Sequence, residues 1–469
     1  MMRTVEMPVW ALVLIVAFAA VTFASHFLFP SVRWFFRRRM ERAVAELNKR
    51  LTRPIEPFKL ARRYDMVQRL TYDAEVTQAI REHCAETGEP ERVGYEMARR
   101  YAREIVPRFS AFMYFGFAAL VSRVLSKGFY RMRVGAFDRE MLDTIDKDAT
   151  VVFVMNHRSN MDYVLITWLA LKRSHLSYAV GEWARVWPLS ALIRATGAYF
   201  IRRKSRNALY RKVLARYVQM ASEGGVTQGI FPEGGLSLNG AVGEPKLGLL
   251  SYFVEGFRPG LSRDVVFVPV AINYDRVIED RALVSAGVTG RRKFRMRLVD
   301  VVRHLGVHMI QRLTGRFKRF GFASVQAGQP LSLSEFAEAH MGEVDTRLLA
   351  RQLMARIRAS VPVLPAPLAA GVILGADGLT QAEISERFGI LARDMQARGA
   401  HLDMPQRGLE YAAQVGVSLL MLRKVITERD GRYYVIPEER GILAYYARSV
   451  AHLVSDEAQS LSAHGFAAT

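Results

Sequence analysis

The sequence predicts an α/β fold: a layer of mixed or largely parallel sheet covered by helices, with a transmembrane helix before it and a mostly helical, winged-helix-like region after it. Three observations predict it. Residues 8–29 contain no Asp, Glu, Lys or Arg. Between about residue 136 and residue 330, short apolar runs alternate with amphipathic stretches of helical length, the texture of strands joined by crossover helices. Beyond Pro330 the spacing becomes helical again, and no internal repeat or long low-complexity segment interrupts it. The expected boundaries are therefore 8–29 for the transmembrane helix, 31–135 for a basic, helical, membrane-associated region, 136–330 for the α/β domain and 331–469 for the C-terminal helical region.

The first element is "PVWALVLIVAFAAVTFASHFLF", long enough at about 1.5 Å per residue to cross a hydrocarbon layer of roughly 30 Å. His26, near its end, is its one titratable side chain. Arg33, Arg37, Arg38, Arg39 and Arg42 follow at once, so the positive-inside bias predicts a single pass through the plasma or inner membrane with the rest of the chain in the cytoplasm. A signal peptide would carry a shorter apolar run of roughly 7–15 residues with its charge on the other flank, and a core helix would show a polar face. Trp34, Phe35 and Phe36 among the arginines predict a segment lying on anionic lipid headgroups, although a solvated basic helix would look similar. "SAFMYFGFAALVSRVL", residues 110–125, is apolar but short for a crossing and predicts a buried or interfacial helix.

The strands of the α/β layer are "TVVFVM", "SYAVG", "AYFIRR", "TQGIF", "VVFVPVAI" and "SVQAG", separated by helical stretches such as "RNALYRKVLARYVQMASEG". Chemistry in such a layer gathers at strand ends. After the Pro-rich break "VPVLPAP" at residues 361–367, "LTQAEISERFGI", "GVSLLMLRKVI" and "RDGRYYVIPEE" read as helix, turn, helix and strand pair, the order of a winged helix.

At 469 residues, half of them apolar, the chain is longer than one core usually serves. The single cysteine, Cys84, excludes an internal disulfide framework and any multi-cysteine metal site. A formal charge of +21 and a pI near 10.2 suit partners that carry phosphate: nucleic acid, anionic lipid or a phosphorylated small molecule.

Four strand-end blocks could carry chemistry. In "VVFVMNHRSNMDYVLI", residues 151–166, a turn can bring Asp162 back to one nitrogen of His157, fixing its tautomer and leaving the other nitrogen as a general base. Equally, Asn160 or Asp162 can cap a helix with His157 on the surface. "GAYFIRR" ends a strand in Arg202 and Arg203, which suit bidentate phosphate contact or plain solvation. "FPEGGLS" sets Glu233 in a turn where Gly234 allows close backbone approach, or is an ordinary turn. "VPVAINYD", residues 268–275, places a proline in an apolar run, or is a plain buried strand. There is no Gly-x-Ser-x-Gly elbow, and "HLGVH", residues 304–308, has zinc spacing without the zincin glutamate. No metal or cofactor is expected.

Together and in this order the four blocks resemble the glycerolipid acyltransferase family, and "NHRSNMDY" with "GAYFIRR" looks most like its glycerol-3-phosphate acyltransferase branch. "YVIP" and "LAYYARSVAHL" resemble that branch's C-terminal region, so the likeness covers roughly residues 140–455. The resemblance implies transfer of a fatty acyl group from acyl-CoA or an acyl carrier protein thioester to the sn-1 hydroxyl of glycerol-3-phosphate, the first step of phospholipid synthesis. His157 would deprotonate the acceptor and Asp162 would orient the imidazole. Arg202 and Arg203 would hold the acceptor phosphate, Glu233 and Gly234 would shape the acceptor site, and Arg158 and Lys246 would join them on the substrate side.

The family's arginine after the second glycine of the third block is Leu236 here, with Lys246 or Arg258 as candidate substitutes. That departure keeps open a lysophosphatidate acyltransferase or another acceptor within the superfamily. A third reading is a membrane-anchored nucleic-acid-binding regulator, from the charge and the helix-turn-helix texture of residues 379–437. Against it, "LTQAEISERFG" carries two acids and few cations. The expected partners are therefore the acyl thioester, glycerol-3-phosphate and anionic membrane lipids, and not nucleic acid.

Overall fold

The structure, a computed structural model, describes residues 8–10, 12–17, 42, 44–46, 48, 49, 51, 55–111, 113–135, 144–170, 176–181, 189–202, 205, 207–290, 320–376 and 378–457. The chain divides into two compact units, Met1–Ile55 and Glu56–Thr469. In the first, Val9, Trp10 and residues 12–17 are helical and exposed. The rest of the expected crossing, and the arginine and aromatic cluster at residues 33–39, lie outside the described residues. Among the described residues no helix is long and apolar enough to cross a membrane.

In the second unit, after the short helix Pro57–Leu60, three helices, Arg63–Thr71, Ala74–Thr87 and Glu91–Ile105, pack against the helix Ala208–Glu223. Asp73 begins the second of these by accepting the Glu75 N–H, and the same carboxylate takes Arg216 Nε at 3.0 Å and Nη2 at 2.9 Å. One residue thus caps one helix and ties it to another. The apolar stretch expected as a buried or interfacial helix becomes a π-helical run, Met113–Ala118, continued by Ala119–Phe129. Tyr114 and Ala119 are buried while Leu120 and Val124 stay exposed, and the helix lies against Met161–Ala170.

The strands are β1 (Arg131–Val134), β2 (Thr150–Met155), β3 (Ser177–Val180), β4 (Tyr199–Phe200), β5 (Gln228–Ile230), β6 (Val265–Tyr274), β7 (Phe322–Ala327) and β8 (Leu331–Ser332). They form one sheet in the order β1-β7-β6-β2-β5-β3-β4, with β8 also paired to β6. From β6 to β4 the pairing is parallel, whereas β7 and β8 run antiparallel to β6, so the sheet is mixed. Every residue of β2 and β6 is buried, as expected for strands covered on both faces. Pro269 sits in the middle of β6 where β7 hands over to β8, beside neither ladder, and its carbonyl accepts the Gly328 N–H at 2.9 Å. A proline that cannot donate is tolerated there.

Beyond the sheet come the helices Leu333–Ala339, Thr346–Ala359 and Pro365–Leu374, the last buried at all ten positions. The helix Gln381–Ala397 starts from a capping box of Thr380 and Glu383, Leu409–Leu422 follows, and the antiparallel pair β10 (Ile426–Arg429) and β11 (Arg432–Val435) comes next. This is the expected helix, helix and strand pair, with β9 (Leu379–Thr380) as a third strand. The helix Arg440–Arg448 then packs back on Pro365–Leu374. One hydrophobic core runs from Met66 to Val454, so sheet and C-terminal helices share an interior.

Candidate active site

The chain leaves β2 at Met155 and enters the helix Met161–Ala170 through a turn that holds His157. Asn156 fixes the exit: its Nδ2 donates to the Ile272 carbonyl at 3.0 Å, and its Oδ1 accepts the Ile272 N–H at 2.8 Å. The His157 ring stacks on Phe231, centroids 4.1 Å apart, and meets Tyr163 edge-on. His157 and Asp162 are 1% and 0% exposed, and Nδ1 lies 2.8 Å from Asp162 Oδ2. With Nδ1–H donating to the carboxylate, Nε2 is the nitrogen left to take a proton. His157 is therefore not a surface residue, and the carboxylate five positions on is bonded to its ring.

Asp162 receives three more bonds. The Arg158 and Ser159 N–H groups donate to Oδ2 at 2.7 and 3.0 Å, and the Tyr274 hydroxyl donates to Oδ1 at 2.6 Å. Burial, and then the neighbouring Asp162 carboxylate, hold the Tyr274 phenol well above its usual range, so it remains a donor. Sequence reasoning missed this residue, although it lies inside the "VPVAINYD" block. The available signal was a hydroxyl at the end of an otherwise apolar strand.

Glu233 bridges the His157 turn to the next loop: Oε1 accepts the His157 N–H and Oε2 the Gly243 N–H, each at 3.0 Å. Burial raises its carboxyl above the usual range. Gly234 has φ +67°, and a Cβ there would come 2.8 Å from Lys246 Cδ and 3.3 Å from its Nζ. That close approach is what the glycine permits. Arg158 is 2% exposed, donates Nη1 to the Gly240 carbonyl and lies over the Tyr445 ring at 4.6 Å, with no hydrogen-bond partner for Nε or Nη2 among the described residues.

The structure therefore brings together His157, Arg158, Asp162, Glu233, Gly234 and, beside Gly234, Lys246. It does not present Arg202 to that group as an uncommitted cation. The Arg202 fork closes on Glu104, Nε to Oε1 at 2.9 Å and Nη2 to Oε2 at 2.6 Å, between the rings of Tyr101 and Tyr210. The Glu104 bond raises the Arg202 pKa further. Arg203 and "HLGVH" lie outside the described residues. Of the two candidate substitutes for the missing arginine, Arg258 donates to the carbonyls of Glu255 and Phe257 at 3.0 Å, whereas Lys246 lies against Gly234. Leu236 is half-buried against the core. Ser237 is no nucleophile elbow, since its hydroxyl donates to the Ala241 carbonyl at 2.7 Å within its own loop.

A strand-end imidazole oriented by a buried carboxylate, beside a Pro/Gly turn, suits base-assisted attack by a hydroxyl. In keeping with that, residues 137–273 match the acyltransferase family. Residues 309–463 are more specific: they match the glycerol-3-phosphate acyltransferase C-terminal region.

Curated relatives agree. The chain is 27% identical over 429 residues to the glycerol-3-phosphate acyltransferase of Pseudomonas paraeruginosa, covering 84% of this chain and 49% of the relative. It is 26% identical over 275 residues to that of Alteromonas mediterranea, covering 56% of this chain and 32% of the relative. It thus spans about half, or less, of the length of these relatives. Among solved structures, the 1-acyl-sn-glycerophosphate (LPA) acyltransferase PlsC of Thermotoga maritima aligns with 60% of this chain and 95% of its own at 19% identity and a TM-score of 0.30, too loose to bear on function.

Proposed function

We propose that the chain moves a fatty acyl group from a thioester, of coenzyme A or of acyl carrier protein, to the sn-1 hydroxyl of glycerol-3-phosphate, with His157 as general base. The observation that carries this reading is the buried His157–Asp162 pair at the end of β2, with Nδ1 committed and Nε2 left over. Nε2 removes the acceptor proton as the hydroxyl oxygen attacks the thioester carbonyl. The tetrahedral adduct collapses, the C–S bond breaks, and the imidazolium returns the proton to the departing thiolate. Asp162 stabilises the imidazolium between those steps.

Arg158, with two buried nitrogens lacking partners among the described residues, is the best-supported contact for the acceptor phosphate, and Lys246 beside Gly234 is the second. Arg202 ties the end of β4 to the helix Glu91–Ile105 through Glu104. The uncharged stretch at residues 8–29 and the arginines after it support attachment to a membrane from the cytoplasmic side.

The test uses purified protein, a long-chain acyl-CoA, and glycerol-3-phosphate or lysophosphatidate as acceptor, with release of free thiol as readout. Wild type should acylate glycerol-3-phosphate, and His157→Ala should abolish turnover while keeping its circular dichroism. Turnover of His157→Ala near the wild-type rate would remove the base, and labelling of lysophosphatidate alone would reassign the acceptor.

A further inference from the structure

The catalytic turn is shaped by side chains rather than by a backbone ladder. Its four successive N–H groups all donate to carboxylates: His157 to Glu233 at 3.0 Å, Arg158 and Ser159 to Asp162 at 2.7 and 3.0 Å, and Asn160 to Glu279 at 3.2 Å. Glu233 and Asp162 are accounted for by the family blocks. Glu279 is not. It stands just after β6 at the start of the helix Asp280–Thr289, and its side chain does not cap that helix. Instead it reaches the turn, where Oε2 accepts the Ser159 hydroxyl at 2.7 Å and Oε1 accepts Asn160 Nδ2 at 3.0 Å as well as the Asn160 N–H.

The residue next to Glu279 is anchored in the C-terminal region. Asp280 is fully buried; its Oδ2 accepts the Tyr446 hydroxyl at 2.7 Å and Arg423 Nε at 2.9 Å, and its Oδ1 accepts Arg423 Nη2. Tyr446 also accepts the Val277 N–H at 3.0 Å, so the whole Val277–Asp280 segment is held from the far side. The neighbouring Tyr445 lies under the Arg158 guanidinium and donates to the Arg158 carbonyl at 3.4 Å. The helix Arg440–Arg448 therefore grips both flanks of the turn.

We propose that Glu279 is a positioning residue for His157, held in place through Asp280 by Arg423 and Tyr446, so that the C-terminal region sets the geometry of the base. This rests on the reading of His157 as the base. Without Glu279, Asn160 and Ser159 lose their acceptor, and a turn defined by three carboxylates is left with two. A displacement of the order of 1 Å at a reacting group can cost about a hundredfold in rate.

Glu279→Ala should lower kcat about 100-fold and leave both KM values within about threefold. Glu279→Gln should stay within about threefold of wild type, because its amide oxygen still accepts from Asn160 and Ser159 can turn to accept from its amide nitrogen. Tyr446→Phe removes the bonds to Asp280 and Val277 but leaves Arg423 on Asp280, and should lower kcat about tenfold. Since it acts through Glu279, the double variant Glu279→Ala/Tyr446→Phe should be no slower than Glu279→Ala alone. The proposal is overturned by a wild-type kcat in Glu279→Ala, by a Glu279→Gln as slow as the alanine variant, or by multiplicative losses in the double variant. The imidazole proton on His157 Nδ1, assigned by its absence in His157→Ala, gives a substrate-free readout by NMR. Its resonance should move in Glu279→Ala even if the acceptor is not glycerol-3-phosphate, and an unmoved resonance overturns the proposal independently of the activity.

Discussion

Replacing Asp162 by Asn separates the two roles of the carboxylate. Three donors converge on Oδ2, namely His157 Nδ1 and the Arg158 and Ser159 N–H groups, and one, the Tyr274 hydroxyl, reaches Oδ1. An asparagine with its oxygen in the Oδ2 place keeps the three bonds. Its amide nitrogen then faces Tyr274 Oη, which can turn from donor to acceptor. Geometry survives and the charge does not. At an effective dielectric of about 20, an imidazolium and a carboxylate with charge centres roughly 4 Å apart attract by ~4 kcal/mol. Losing that in the transition state slows the reaction roughly a thousandfold. Asp162→Ala, which strands all four donors, should be as slow and much less stable. The assay is thiol release at saturating acceptor, paired with urea unfolding. An asparagine variant within about threefold of the wild-type rate would show that the charge is not needed and would refute the argument.

Three further outcomes follow from the same geometry. Tyr274→Phe leaves one buried oxygen of Asp162 without a donor and should cost about 2 kcal/mol in urea unfolding at unchanged slope; an unchanged midpoint would dismiss the bond. Arg202→Ala and Glu104→Ala should each lower stability by about 1 kcal/mol and the double variant by little more, since each removes the same fork; fully additive losses would show the two act separately. Burial raises the Asp275 carboxyl from 3.8 to about 7, so between those values the folded chain keeps a proton that the unfolded chain releases. Stability therefore falls as pH rises through that window, by about 4 kcal/mol at most, and Asp275→Asn should remove the slope. A difference between wild type and this variant that is flat from pH 4 to pH 8 would contradict the assignment.

What the sequence reveals here is what local pattern can encode. The runs from "TVVFVM" to "SVQAG" fall on β2 to β7, and the separation of His157 from Asp162 places both on one strand-to-helix turn. Strand direction is less visible. β7 runs antiparallel although nothing in its own residues says so, because direction is set by the connection before it, which includes residues 291–319. The two-residue β8 and the exposed-edged β1 carry too little apolar alternation to register as strands. Long-range polar partners are least visible of all. Glu104, Tyr274 and Glu279 reach Arg202, Asp162 and Asn160 from about a hundred residues away, and no spacing rule links them. Arg202 illustrates the result: the strand-end pattern shows a guanidinium there but not the acid it pairs with.

Asn156 makes the sheet one rung longer than its backbone. Its side-chain amide meets Ile272 with the same donor and acceptor a strand residue would offer, so the β2–β6 seam continues while the main chain is already turning away. The position therefore demands an amide in particular. Aspartate there would set an oxygen against the Ile272 carbonyl, leucine would leave both Ile272 groups unanswered in a dry interior, and either would cut the seam at the residue that precedes His157. The histidine proposed as the base is thus mounted on a counterfeit peptide group, and the stiffness of a fully paired strand is delivered to a residue that has left it.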